Sequence, residues 1–313
     1  MRASKFRTNS GKPIFATSVL AAVLLVASAA YAKDPQLVPR RLSSTGDSIS
    51  AAVDAEYYGP NPNASWVNGY YGFWEWMSGY TDVASHNERV TSNWGAKGRT
   101  NNMDAGPGTT MADLADQTAQ AVSQTAQYVT VFMGSNDICK NHAYEIPTDA
   151  EFEANFRAGM ETLKKGLPHG ATVYVLAIPN IRHLYDVGME KADLGIMDCP
   201  AHWSNRLPDH YPCVTMLGSG NTEADRQYTL SRIIAFNNIL EEVTSEYQRN
   251  DWHHYYFFSD VTFTYQFPES DVSNLDCFHP SAQGQANVAR ITWISGPFRA
   301  YQKAPKTGGT RSR

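Results

Sequence analysis

Short runs rich in β-branched and aromatic residues alternate along this chain with longer stretches of helical period. Tyr128 to Met133 (Y-V-T-V-F-M), Thr172 to Ile178 (T-V-Y-V-L-A-I) and His254 to Phe258 are such runs, closed by turn signals at Gly134, Pro179 and Ser259-Asp260. Runs without polar alternation suit strands covered on both faces. Met111, Leu114, Ala115, Thr118, Ala121 and Val122 fall on one helical face. Thr148 and Glu151 make a capping box ahead of the stripe Phe152, Phe156, Leu163 and Leu167. A further helix is expected from about Glu223 to Gln248, carrying Ile233, Ile234, Leu240 and Val243, and a last one from about Ser281 to Phe298. Leu42 to Thr45 is read as the first strand, although it is polar for that role. The alternation predicts an α/β domain with a parallel sheet and helices on both faces. Ligands in such domains bind beyond the carboxyl ends of the strands, so Gly46-Asp47-Ser48, Gly134 to Asp137 and Pro179-Asn180 should share one edge.

The two ends read differently from this domain. Arg2, Lys5, Arg7 and Lys12 precede an apolar run from Ile14 to Ala30 that ends in Ala30-Tyr31-Ala32. That is the pattern of a signal peptide at residues 1–32 cleaved near Ala32, the alternative being a retained anchor. No later segment has the ~20 apolar residues of a membrane span. Residues 33–302 are expected to form one domain and 303–313 a basic, glycine-containing flexible tail. Without the leader, 22 basic residues face 31 acidic ones, a net of −9. That balance, with no basic block, argues against nucleic acid as a partner.

Chemistry concentrates in three blocks. Ser48 follows a strand and a glycine, where a serine can present its hydroxyl at the sheet edge or cap the next helix. His279 is the best-placed base among nine histidines, with Asp276 three residues before it to hold one ring nitrogen. Asp260 and Asp271 are rival orienters. Asn136 can offer its amide to a developing oxyanion or serve as a turn residue. A glycine N–H would complete the hole with that of Ser48. Gly108 is preferred, because one helix leads from it into the strand before Gly134, and Gly98 is the alternative. No G-x-S-x-G elbow occurs. Gly95 to Thr100 lacks the order of a phosphate loop. His253-His254 and His202/His210 lack partners at metal-ligand spacing, so no metal or other cofactor is expected.

Cys139, Cys199, Cys213 and Cys277 are an even set in a chain read as exported, which makes disulfides the expectation. Cys199 and Cys213 flank a short loop. Cys139 and Cys277 lie in two blocks expected to converge. The pairing 199–213 with 139–277 follows from that reading.

Together the blocks resemble the SGNH (GDSL-type) hydrolase family over about residues 40–298. Gly46-Asp47-Ser48 is similar to its first block, Gly134-x-Asn136-Asp137 to its third and Asp276-x-x-His279 to its last. Ile49 stands where the family usually has Leu. The resemblance implies a flavodoxin-like three-layer fold and metal-free ester hydrolysis. It also implies Ser48 as nucleophile, His279 and Asp276 as the rest of the triad, and Gly108 and Asn136 in the oxyanion hole. Gly-Ser-Asn-Asp followed by Cys139, and Asp-Cys-Phe-His, are most similar to the phospholipase B-like branch.

Two regions are expected to bear on substrate. Tyr57, Tyr58, Trp66, Tyr70, Tyr71, Phe73, Trp74, Trp76 and Trp94 crowd residues 57–94, with core packing their first reading. Residues 180–222 carry little periodicity and read as a lid or binding loop. The expectation is an exported esterase for lipid or phospholipid acyl esters, with peripheral membrane contact compatible and oligomeric state open. A carbohydrate O-acetyl ester is the runner-up substrate. A glycan- or envelope-binding protein on an inactive scaffold is the reading from another class.

Overall fold

The computed structural model describes residues 38–204 and 212–301. The expected leader (1–32) and tail (303–313) lie outside the described residues. Strands β1 (Arg41–Gly46), β2 (Thr100–Met103), β3 (Tyr128–Phe132), β4 (Thr172–Leu176) and β5 (Tyr255–Ser259) form one sheet in the order β2-β1-β3-β4-β5, every pairing parallel. That order is the doubly wound, flavodoxin-like one. The main helices are α1 (His86–Trp94), α2 (Leu114–Ser123), α3 (Asp149–Gly166), α4 (Ile181–Asp193), α5 (Cys199–Ser204), α6 (Glu223–Asn250) and α7 (Ala282–Ser295).

Side chains alternate across the sheet and so build two cores. Val129, Val131, Val173 and Val175 pack with Phe156 of α3 and Phe236 of α6. Tyr128, Phe132, Tyr174 and Leu176 pack on the other face with Val90 of α1 and Trp293 of α7. The sheet is thus the middle of three layers, as expected.

The polar first strand is buried because each hydroxyl has a partner. Ser43 Oγ donates to Asp104 at 2.6 Å, Ser44 Oγ to Asn68, and Thr45 Oγ1 to the Thr130 carbonyl at 2.9 Å. Hydrogen-bonded hydroxyls remove the desolvation cost that would otherwise forbid such a strand. β2 was not expected. Its Thr-Asn-Asn-Met sequence has no apolar run, and it exists as an edge strand through its register with β1 and the Asn68 amide, which bonds Asn101 and the Asn102 carbonyl.

The long helix carries the predicted stripe, except that Ile234 is 42% exposed. The described part of residues 180–222 is more regular than expected. Ile181, Leu184, Val187, Gly188 and Lys191 form the buried face of α4, a helical period that Lys191 and Gly188 disguise in the sequence.

The disulfides correct the expected pairing: Cys139 bonds Cys213 and Cys199 bonds Cys277. Thr215 explains the first, since its N–H donates to Lys140 O at 3.0 Å and its hydroxyl to Ile138 O at 2.7 Å. Those bonds dock the segment after Cys213 onto the end of the Asn136 block. α5 explains the second, because Trp203 Nε1 donates to the Cys277 carbonyl at 3.0 Å. The excursion between α4 and α6 is thus stapled at both ends, each time to a different site block. Links spanning 74 and 78 residues restrict the unfolded chain, by roughly 4 kcal/mol each in the chain-entropy account. Among the described residues no helix is long and apolar enough to cross a membrane.

Candidate active site

The site begins where β1 ends. Gly46 has φ +151°, and a Cβ there would stand 2.5 Å from the Phe132 carbonyl oxygen, so the turn after β1 requires glycine. Gln117 of α2 clamps the turn from above: its Oε1 accepts from Gly46 N at 2.7 Å and its amide donates to Gly46 O at 3.0 Å. Ser48 follows, buried apart from the edge of its side chain.

Its hydroxyl lies 2.8 Å from His279 Nε2, and His279 Nδ1 lies 2.5 Å from Asp276 Oδ2. Two segments 231 residues apart in sequence therefore meet. Asp276 Oδ1 also accepts the N–H groups of Phe278 and His279 at 2.9 and 3.0 Å. Burial alone would lift this carboxyl. The His279 ring and those N–H groups outweigh burial and hold it below the usual carboxylate range. The rival Asp271 is engaged elsewhere, with Tyr265 Oη and Asn287 Nδ2 at 2.8 Å each. Asp260 instead caps the turn after β5, its carbonyl accepting from Phe263 N and Thr264 N.

Gly134 ends β3 with φ +120° under the Ile178 side chain, which a Cβ would strike at 2.6 Å. The turn it permits puts Asn136 over the segment after β2, where Asn136 Nδ2 donates to Thr109 O at 2.9 Å. One amide hydrogen is left for a ligand.

Sheet polarity separates the two glycines. Gly98 precedes β2 and lies at the amino edge, where Arg40 donates to Lys97 O. Gly108 follows β2 at the carboxyl edge, beside Thr109, whose hydroxyl donates to Gly46 O at 2.9 Å. Among the described residues no protein acceptor takes the N–H of Ser48 or Gly108.

Two buried carboxyls stand behind the turn. Burial pushes Asp47 up to about 6 against its bond from Ile49 N and the nearby His279. Burial likewise pushes Asp137 up to about 6, against its bond from Met111 N, with Asp47 adding to the rise. Sequence reasoning missed another carboxyl, the half-buried Asp54, six residues after Ser48 in a loop with no periodicity to mark it. One oxygen each from Asp54 and Asp276 and one ring nitrogen of His279 lie within 4.8 Å of one another. This is the described group nearest to a metal-ligand set. Both His279 nitrogens are already hydrogen-bonded, so a cation would have to displace Ser48 or Asp276.

An apolar cavity of about 90 Å³ opens beside the serine, walled by Ile49, Pro179, Leu184, Phe267 and Phe278 with His279 at its edge. The aromatic stretch departs from its first reading. Trp66 is core, but Tyr57, Tyr58, Tyr70, Phe73, Trp74 and Trp76 are exposed, Trp74 to 75%. The loop that leads into this stretch is tied to the histidine side of the site: Ser273 Oγ donates to Asp54 O at 2.6 Å and Ala282 N to Ala55 O at 3.1 Å.

A sequence search of curated proteins finds no match. Among solved structures, LAE5, an alpha/beta hydrolase enzyme from the metagenome of Lake Arreo, Spain, is similar at 14% identity and TM-score 0.48, over 82% of this chain and 94% of that one. An extracellular lipase from Streptomyces rimosus is similar at 14% identity and TM-score 0.44, over 82% and 99%. A family 3 carbohydrate esterase from Clostridium thermocellum is similar at 12% identity and TM-score 0.40, over 82% and 94%. The family model of the GDSL-like lipase/acylhydrolases matches residues 45–291, from the end of β1 into α7. That span takes in the turn of Ser48, the Asn136 block and the Asp276–His279 loop together, and on it the chain belongs to the GDSL-like lipase/acylhydrolase family and is an ester-hydrolysing enzyme.

Proposed function

We propose that this chain is an exported serine esterase working through an acyl-enzyme. Ser48 Oγ attacks the ester carbonyl while His279 Nε2 takes its proton. Asp276 fixes the ring and stabilises the imidazolium that forms. The N–H groups of Ser48 and Gly108 and the Asn136 amide receive the oxyanion. His279 then gives its proton to the leaving alcohol. Water, deprotonated by the same nitrogen, attacks the acyl-serine, and the acid leaves as Ser48 regains its proton. The observation that carries this reading is the unbroken contact Ser48 Oγ–His279 Nε2 at 2.8 Å and His279 Nδ1–Asp276 Oδ2 at 2.5 Å.

The proposed substrate is a lipid acyl ester. The cavity between Ile49 and His279 supports it, being walled almost wholly by apolar side chains. The exposed Phe73, Trp74, Trp76 and Met77 suit peripheral contact with a lipid surface. The same aromatic stretch favours a carbohydrate O-acetyl ester as the second reading. The motifs around Cys139 and Cys277 keep the resemblance to the phospholipase B-like branch. Export is supported by the leader pattern and by the two disulfides, which persist in oxidising compartments.

Hydrolysis of p-nitrophenyl esters of graded acyl length, beside phospholipids and acetylated sugars, tests substrate and mechanism together. Ser48→Ala should lower turnover on the order of 10⁶-fold, as removing a serine nucleophile does elsewhere. Unchanged turnover in that variant removes Ser48 from its role.

A further inference from the structure

We propose that Asp54 is a positioning residue for the site: its carboxyl group carries a proton, donates it in a hydrogen bond to the Asp276 carboxylate, and so fixes the edge that Asp276 turns to His279. This rests on the Ser48–His279–Asp276 reading above and adds a fourth residue behind it.

Asp276 is fully buried and offers about four lone-pair sites. Three are filled, by the N–H groups of Phe278 and His279 and by His279 Nδ1. The fourth is left for Asp54, one of whose carboxyl oxygens lies within 4.8 Å of a carboxyl oxygen of Asp276. Two carboxyl groups in contact do not both ionise, and the one richer in donors keeps the charge. Asp276 has three donors. Asp54 has one, Gly59 N at 2.6 Å on Oδ1, which leaves its second oxygen to hold the proton.

The loop is built to hold this side chain in place. Asp54 sits at φ +55°, in the left-handed region that Asp and Asn tolerate best among non-glycine residues. Its N–H donates to Gly59 O at 2.9 Å, and Val53 N donates to Ser48 O at 3.0 Å. Ser273 Oγ reaches across from the histidine loop to the Asp54 carbonyl. Asp54 is therefore one of the points at which the serine turn and the histidine block are joined.

Several charges face the pair. His279 lies beside both carboxyls, and Asp47 approaches the ring from the serine turn. Lys191 of α4 is buried, with Nζ bonded to the carbonyls of Glu269 and Val272, and its charge reaches Asp276. Burial lifts Asp54 above the usual carboxylate range. The Gly59 N–H draws it back and Asp276 lifts it further.

The test measures kcat and KM of the full chain on a short-chain p-nitrophenyl ester from about pH 5 to about pH 9. Asp54→Ala should lose kcat on the order of tenfold, the usual scale for one hydrogen bond to a charged group, with KM nearly unchanged. Asp54→Asn keeps a donor, the Gly59 bond and the backbone conformation, so it should restore kcat at the acid end. Its ratio to wild type should then rise about threefold or more with pH, because the wild type sheds its proton and the amide does not. A ratio that is flat or falls with pH overturns the proposal, and so does an effect on KM alone. If Asp54→Ala does not fold, the Asp54→Asn ratio decides by itself. Turnover surviving in Ser48→Ala would bring down the parent reading. Ser48→Ala inactive with Asp54→Asn indistinguishable from wild type at every pH brings down only this one.

Discussion

Two Asp-x-x-His pairs occupy opposite ends of the same fold. In both, the histidine Nδ1 meets the aspartate Oδ2, at 2.5 Å for Asp276–His279 and 2.7 Å for Asp251–His254. In both, hydrogen bonds to the aspartate outweigh burial and hold its carboxyl below the usual range. The difference lies at the other nitrogen. His279 Nε2 faces the Ser48 hydroxyl, while His254 Nε2 is spent on the Leu167 carbonyl at 3.1 Å. The first imidazole is 14% exposed beside a cavity and the second 2% exposed. Sheet polarity makes the assignment. The His254 pair precedes β5, at the amino edge, and the His279 pair reaches the carboxyl edge, where the turns after β1 and β3 also end. An oriented imidazole is common to both, and a serine hydroxyl within reach belongs to one.

The sharpest way to break this comparison is the same substitution in each pair. Asp276→Asn should lower kcat on the order of 10⁴-fold, as the equivalent change does in serine proteases, and should lower stability as well, because it too removes a buried carboxylate held by three donors. Asp251→Asn should leave kcat of the folded protein unchanged and lower stability by about 2–3 kcal/mol. It weakens a buried network in which Asp251 takes the His254 ring, Tyr256 Oη at 2.7 Å and His253 N at 2.8 Å. Turnover assays and urea unfolding of both variants check it. A steep loss of turnover in Asp251→Asn would erase the distinction.

A smaller effect sharpens the same point from the oxyanion side. Asn136→Ala removes the amide that only the carboxyl edge supplies and should cost about 10²–10³ in kcat. Because Asn136 also holds Thr109 O, a change in Tm would show how much of its work is structural. Equal losses of kcat and stability would count against an oxyanion role.

The sequence carried the parallel fold well, because β3 and β4 are buried on both faces and are built of β-branched and aromatic residues with no polar alternation. It carried Ser48, Asn136, Asp276 and His279 for a related reason: each lies a fixed step beyond a strand or before a helix. β2 was illegible, since an exposed four-residue edge strand needs no apolar pattern. The disulfide partners were illegible because pairing depends on where Thr215 and Trp203 dock, which no spacing encodes. Asp54 was hidden because its partner Asp276 is 222 residues away and its loop has no period. The second Asp-x-x-His pair shows the converse. A short pattern is legible everywhere it occurs, and only topology says which copy meets a serine.

The remaining contrast is between carboxyls that have a histidine partner and those that do not. Asp137 is buried without one and rises to about 6 from an ordinary 3.8, so its proton is held more tightly in the folded chain than in the unfolded one. The stability it contributes is full below about pH 4 and is lost as pH climbs through about 6, because the unfolded chain gives up this proton first. Asp137→Asn cannot titrate. Its stability relative to wild type should therefore grow between about pH 4 and about pH 6 by up to about 3 kcal/mol, then stay level. The amide can still accept from Met111 N, so the turn should persist. Urea unfolding at pH steps across that window reads the difference directly. A relative stability that falls with rising pH would mean the carboxyl is stabilised in its charged form, as Asp276 and Asp251 are, and would place Asp137 with the partnered group.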